Sequence, residues 1–157
     1  MSDTYLWLKF IHILGAILFL GNIIVTGWWK LMADRTRSPK IIAFAQRQVT
    51  LTDYVFTLGG VLIILVSGLA NAIIHDMDYL QIKWTLWGLG LLSFSGLIWC
   101  LILIPVQIKQ AKLAHEFAEQ KTIPEEYWRL CKIWNIAGPI ATIIPLIAVY
   151  FMVFKPV

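Results

Sequence analysis

The chain has 157 residues, 59% hydrophobic and only 14% charged, with a formal net charge of +4 and a mean hydropathy of +0.75. A soluble domain has about 45–50% apolar and about 25% charged residues, so this composition excludes an ordinary globular enzyme, a disordered chain and a nucleic-acid-binding domain. Barrel strands alternate apolar and polar residues, whereas these segments stay apolar for about twenty residues, the length a helix needs to cross a bilayer. The expected fold class is therefore all-α: an integral membrane four-helix antiparallel bundle with short amphipathic cytoplasmic helical extensions, in one domain over 1–157.

Span one is expected over 5–29. At helical spacing of three and four, His12, Gly15, Phe19, Asn22, Thr26 and Trp29 form one stripe, which holds every strongly polar group in the middle of the span. No small-residue cleavage site follows it, so it reads as a retained span rather than a cleaved signal peptide. In the first connection, Ser38-Pro39 marks a helix start. Residues 40–50 then predict a short surface helix that lays Ile41, Ile42 and Phe44 against lipid headgroups.

Span two, over 54–74, carries a second stripe: Asp53, Thr57, Gly60, Ile64, Ser67 or Gly68, Asn71 and His75. Span three, over 84–106, shows a weaker one of Lys83, Trp87, Gly90 and Phe94, and its helix is expected to continue to about Gln120 with Leu113 and Phe117 on one face. Thr122 to Glu126 reads as a restart, with Thr122 as cap, Pro124 in the first turn, and Glu125 and Glu126 suited to the helix dipole. Span four, over 133–154, has the stripe Cys131, Asn135, Gly138, Thr142 and Pro145. Pro139 and Pro145 bend it and free backbone carbonyls. These stripes should converge inside the bundle, where small residues let helices approach and amides bond across them.

Ten of the 13 Lys and Arg lie in or beside the first and third connections: Lys30, Arg35, Arg37, Lys40, Arg47, Lys109, Lys112, Lys121, Arg129 and Lys132. By the positive-inside rule these face the cytoplasm. Both termini and the second connection, with Asp76 and Asp78, then face outward, in the periplasm for a bacterial inner membrane. Trp7, Trp28, Trp29, Trp84, Trp128 and Trp134, with Tyr5, Tyr54, Tyr79 and Tyr127, sit at span ends as an interfacial aromatic belt. Cys100 and Cys131 fit neither a disulfide framework nor a zinc site and read as small apolar fillers.

Polar side chains within spans are functional candidates. Given this orientation, His12, Asn71, His75 and Lys83 gather at one depth near the outer face. A neutral imidazole at His12 can ligate haem iron or a metal, relay protons or bond structurally. His115 is expected in solvent. Asp53, at the opposite end of span two, either caps that helix or acts in a site.

Leu51-Thr52-Asp53-Tyr54-Val55-Phe56-Thr57-Leu58-Gly59-Gly60 resembles the Asp-x-x-Phe-Thr-x-x-Gly signature of a family of bacterial integral membrane proteins catalogued as a domain of unknown function. Leu6 to Gly21 and Trp87 to Gln107 are similar to it too, so the resemblance covers nearly the whole chain and implies a four-helix fold. A more distant similarity links the chain to HemJ-type protoporphyrinogen oxidases and copper-resistance D membrane proteins. It rests on His12 in Leu8-Lys9-Phe10-Ile11-His12, on Ile82-Lys83 after Tyr79-Leu80, and on Tyr127-Trp128-Arg129-Leu130 with Asn135, Pro139 and Phe154 to Val157. It implies haem b with His12 as first axial ligand. Helix one lacks that family's Pro-Arg pair and second histidine, and span three has no histidine.

Three functional readings follow. The first is a haem- or metal-binding redox protein using His12, with Lys83 on a propionate or carboxylate. The second is a transport or channel component lined by Asn22, Asn71 and Asn135. The third is a non-catalytic scaffold whose helix faces bind a homo- or hetero-oligomeric partner. Beyond these, the lipid bilayer is the expected partner and nucleic acid is not.

Overall fold

In a computed structural model, residues 2–78 and 81–156 are described. Every regular element among them is helical. The chain runs α1 (Asp3–Arg35), α2 (Pro39–Thr52), a π-helical segment (Asp53–Leu58), α3 (Gly59–Ile74), α4 (Lys83–Ile98), a second π-helical segment (Trp99–Leu103), α5 (Ile104–Phe117) and α6 (Glu125–Phe154). The π segments splice α2 to α3 and α4 to α5. Four continuous helices result, each long and apolar enough to cross a membrane: Asp3–Arg35, Pro39–Ile74, Lys83–Phe117 and Glu125–Phe154. Short connections make successive helices antiparallel, giving the expected four-helix bundle.

A 36-residue helix is about 54 Å long, well beyond a hydrocarbon core of about 30 Å. The excess lies at the end of α1, in α2, in α5 and at the start of α6. There Ile42, Ala114, Phe117, Tyr127 and Cys131 form a compact buried cluster. Along the spans, large apolar side chains point outward: Ile17 is 62% exposed, Val66 68%, Leu101 71% and Val153 67%. A surface so apolar is stable only against acyl chains.

The sequence reading of 40–50 as a separate surface helix is corrected. α2 continues straight into the span and packs on α1 and α5, because Ile42, Gln46 and Val49 form a buried stripe. Phe44 stays outside at 67% exposure. Ser38 does precede Pro39 at the helix start, without a side-chain cap bond. The restart at Glu125 occurs as expected, but Pro124 is itself the cap residue and Thr122 makes no capping bond. α5 ends at Phe117, close to the expected limit, with Phe117 fully buried and Leu113 packed beside it.

Helix pairs organise the bundle. α1 packs along α3, and α4 with its extension α5 along α6; the pairs are joined through α2–α5 and α1–α6 contacts. Among the described residues the α4 backbone does not come close to that of α1 or α3, nor the α3 backbone to that of α6. The bundle therefore closes mainly at the end holding α2 and α5. Within the α1–α3 pair the backbones nearly touch: a Cβ added at Gly60 would lie 2.8 Å from the Gly15 carbonyl oxygen. Within the α4–α6 pair, Ser95 Oγ donates to the Ala141 carbonyl at 2.7 Å.

The α3 stripe holds: Asp53, Thr57, Gly60 and Ser67 are all buried. The α1 stripe holds except at its end, where Lys30 is buried and Trp29 is 56% exposed. The other two are corrected. In α4 the buried positions are Gly88 and Ser95, while Lys83, Trp87, Gly90 and Phe94 face outward. In α6 they are Tyr127, Cys131, Ala137, Ala141, Pro145 and Ala148, and Asn135 is exposed. Trp87 and Phe94 face outward because in lipid a Trp or Phe has no need of burial.

Candidate functional site

His12 sits halfway along the α1–α3 contact, half-buried, with its Nδ1 2.9 Å from the Ile64 carbonyl oxygen. A carbonyl only accepts, so Nδ1 carries the proton and Nε2 the free lone pair. Ser67 Oγ lies 3.3 Å from the same Nδ1 and gives its own proton to the Ile63 carbonyl. Gly68 makes room for the ring: a Cβ there would stand 3.0 Å from His12 Cε1. The helix pair thus fixes the tautomer and plane of His12 and leaves Nε2 without a partner among the described residues.

His75 and Asn71 form a separate group at the end of α3. His75 Nδ1 donates to the Asn71 carbonyl at 3.1 Å, and Ser2 Oγ donates to His75 Nε2 at 2.8 Å. Tyr5 meets the imidazole edge-on at 5.5 Å. His75 lies eight residues past Ser67 on the same strand of chain, about 12 Å of helical rise from His12. Lys83 opens α4 and is exposed, and the α4 backbone does not come close to α1 or α3. The expected gathering of His12, Asn71, His75 and Lys83 is thus corrected: Asn71 and His75 meet, while His12 and Lys83 stand apart. Shared depth is not shared position when two helix pairs diverge. Among the described residues, no three His, Cys, Asp or Glu side chains group closely enough to hold a metal ion.

Two polar clusters are more fully buried in protein, both at the closed end. In the first, Asp53 is buried at the start of the π segment within the sequence Asp53-Tyr54-Val55-Phe56-Thr57. Its Oδ1 accepts from Asn22 Nδ2 at 2.9 Å and Thr57 Oγ1 at 3.0 Å, and its Oδ2 from Gln107 Nε2 at 3.0 Å. One carboxylate so joins α1, the splice into α3, and α5. The stretch carrying it matches a family model: residues 6–156 fit that of the predicted integral membrane proteins DUF2269. The chain belongs to that family. No curated protein and no solved structure matches it.

The second cluster of this DUF2269 chain escaped the sequence reading. Lys30 Nζ bonds Asp34 Oδ2 at 2.8 Å, with both side chains buried. Tyr127 Oη donates to Asp34 Oδ1 at 2.8 Å, and Gln110 Nε2 approaches Cys131 Sγ at 3.2 Å. Lys30 Nζ also lies 5.1 Å from the Trp134 ring centroid. From sequence alone Lys30 reads as a topology signal, Tyr127 as a belt anchor and Cys131 as a filler. The available signal was spacing: Lys30 and Asp34, Gln107 and Gln110, and Tyr127 and Cys131 each share a helix face. Of the other belt aromatics, Trp7, Trp28, Trp29 and Tyr54 are exposed, while Tyr5, Trp84, Trp128 and Trp134 are half-buried. His115 is also exposed. Tyr79 lies outside the described residues.

Proposed function

We propose that the protein is a small integral-membrane redox protein for haem b, whose iron Nε2 of His12 would hold. The single observation behind this reading is the His12 tautomer. A ligating histidine commonly donates its other ring N–H to a carbonyl or carboxylate, which fixes the ring and raises its basicity. The Ile64 carbonyl does this here. A lone protein ligand suits haem better than a bare ion, because the porphyrin brings four nitrogens of its own while a bare ion needs three or more side chains. Bound haem would supply one-electron chemistry. The chain's own part is to present Nε2 at a fixed angle, to keep Gly68 clear of the ring, and to surround it with lipid and apolar side chains. Lys83 takes no part in this reading.

Transport along the α1 stripe has less support. Between Asn22 and His12 the stripe consists of Phe19 and Gly15, which are packed against Gly60. The proposal further places the protein in a bacterial inner membrane with both termini outside, as the distribution of Lys and Arg favours. A cysteine at Asp76 should react with an impermeant thiol reagent in whole cells, and one at Gln120 only after permeabilisation.

A visible spectrum tests the haem assignment. Protein expressed with ample haem and purified in mild detergent should show a Soret band that moves on reduction. His12→Ala should lose that band while keeping its helical circular dichroism. Colourless wild-type protein, or an unchanged band in the variant, overturns it.

A further inference from the structure

Buried charge in this bundle is handled in two ways. Asp34 has Lys30 beside it. Asp53 has only neutral donors, the amides of Asn22 and Gln107 and the hydroxyl of Thr57. Among the described residues the salt bridges are Lys30–Asp34 and Lys40–Glu119, and neither reaches Asp53. The charged residues on the helices packed around it do not supply the missing charge. Arg47 on α2 and Lys109 and Lys112 on α5 are exposed, and Lys30 on α1 is taken by Asp34. A carboxylate held away from water without a counter-charge is strongly unfavourable.

A cavity of about 20 Å³ adjoins this carboxylate, lined by Thr50, Asp53, Tyr54, Trp99 and Gln107 among others. It draws on both π-helical segments, Asp53–Leu58 and Trp99–Leu103. Such widened turns are rare in helices and frequent at functional sites. The volume suffices for one water-sized guest, which needs roughly 10–15 Å³. Oxygen lone pairs are spare at its wall. A carboxylate offers about four acceptor positions, and Asp53 uses three, two on Oδ1 and one on Oδ2. Gln107 Oε1 accepts no hydrogen bond among the described residues, and the Thr50 hydroxyl spends only its proton, on the Gln46 carbonyl.

We propose that this cavity binds a small monovalent metal cation the size of Na+, held by Asp53 with Gln107 and Thr50. A water would fill the space but bring no charge, and a proton would bring charge but need no space. A hard cation with oxygen ligands satisfies both. The site is independent of the His12 reading, since His12 lies on the far side of the Gly15–Gly60 contact and faces Ile64.

Thermal unfolding of the purified full chain at pH 8 tests this, in NaCl, KCl and N-methylglucamine chloride at one ionic strength. Na+ should raise the midpoint saturably, above K+ and glucamine. Asp53→Asn should abolish the difference and, in glucamine, match or exceed the wild type, because the uncompensated charge is gone. Gln107→Met keeps the side-chain volume and removes one ligand, so the half-saturating Na+ concentration should rise about tenfold. Equal midpoints in the three salts overturn the proposal, as does a Na+ response that persists in Asp53→Asn. Should that variant not fold, an unchanged half-saturation in Gln107→Met overturns it instead.

Discussion

Tyr127 Oη donates to Asp34 Oδ1 across 2.8 Å, which ties the α1–α3 pair to the α4–α6 pair at the closed end of the bundle. Asp34 accepts from Lys30 on its other oxygen, and the Cys131 thiol lies 3.6 Å from that same atom. Each carboxylate oxygen therefore has a donor, and the charge has its partner.

Removing one member tests whether the knot acts as a unit. Tyr127→Phe deletes a hydrogen bond to a charged group and should cost about 1.5–3 kcal/mol. Lys30→Met should cost more, about 3–5 kcal/mol, because Asp34 is left charged and buried. Replacing Lys30 and Asp34 together with Met and Leu should recover much of that loss. Urea or thermal unfolding in detergent reads all three, and equal losses for the single and double changes would contradict the pairing.

Close helix approach gives the second prediction. Gly60→Ala places a Cβ 2.8 Å from both the Gly15 oxygen and the Phe19 nitrogen. Both neighbours are backbone, so α1 and α3 must separate, at a cost of about 1–3 kcal/mol. Gly90→Ala meets nothing within 4 Å and should be neutral or slightly stabilising, by up to about 1 kcal/mol from helix propensity. Comparing the midpoints of the two variants decides it.

The split between Gly60 and Gly90 shows what the sequence made legible. Four spans, their order and the buried faces of α1 and α3 could be read, because Asn22, Asp53, Thr57 and Ser67 are costly in lipid and must turn inward. The face of α4 could not, because Trp87 and Phe94 are as stable against acyl chains as against protein. The way the helices pair was hidden as well. Hydropathy fixes each residue's depth but not its position around the bundle, so it does not separate Lys83 from His12. Tyr127 and Lys30 were obscured by their depth near the interface, where an anchor and a buried partner share the same composition.

Ring placement at His12 gives the third prediction. A Cβ at Gly68 would stand 3.0 Å from His12 Cε1 and 3.1 Å from Nδ1. Gly68→Val should therefore push the imidazole off the Ile64 carbonyl without touching Nε2 directly. On the haem reading, the Soret band should weaken or shift in this variant while helical content is retained. Gly21→Val, at a position with nothing within 4 Å, serves as the control and should leave the band in place.

Ser95 and Pro145 should be energetically coupled although neither donates to the other. Proline has no N–H, so Pro145 leaves the carbonyl four residues earlier, that of Ala141, without its helical donor. Ser95 Oγ on α4 supplies the missing proton at 2.7 Å, satisfying in lipid a group that no water can reach. Ser95→Ala should then cost about 1–3 kcal/mol, the expense of a buried acceptor left unpaired. In a Pro145→Ala background the backbone N–H of residue 145 returns to Ala141, and the same change at Ser95 should cost only a few tenths, within the usual error of additivity. A double-mutant cycle on thermal or denaturant unfolding measures the difference. A coupling energy near zero would mean that the carbonyl freed by Pro145 finds its donor elsewhere.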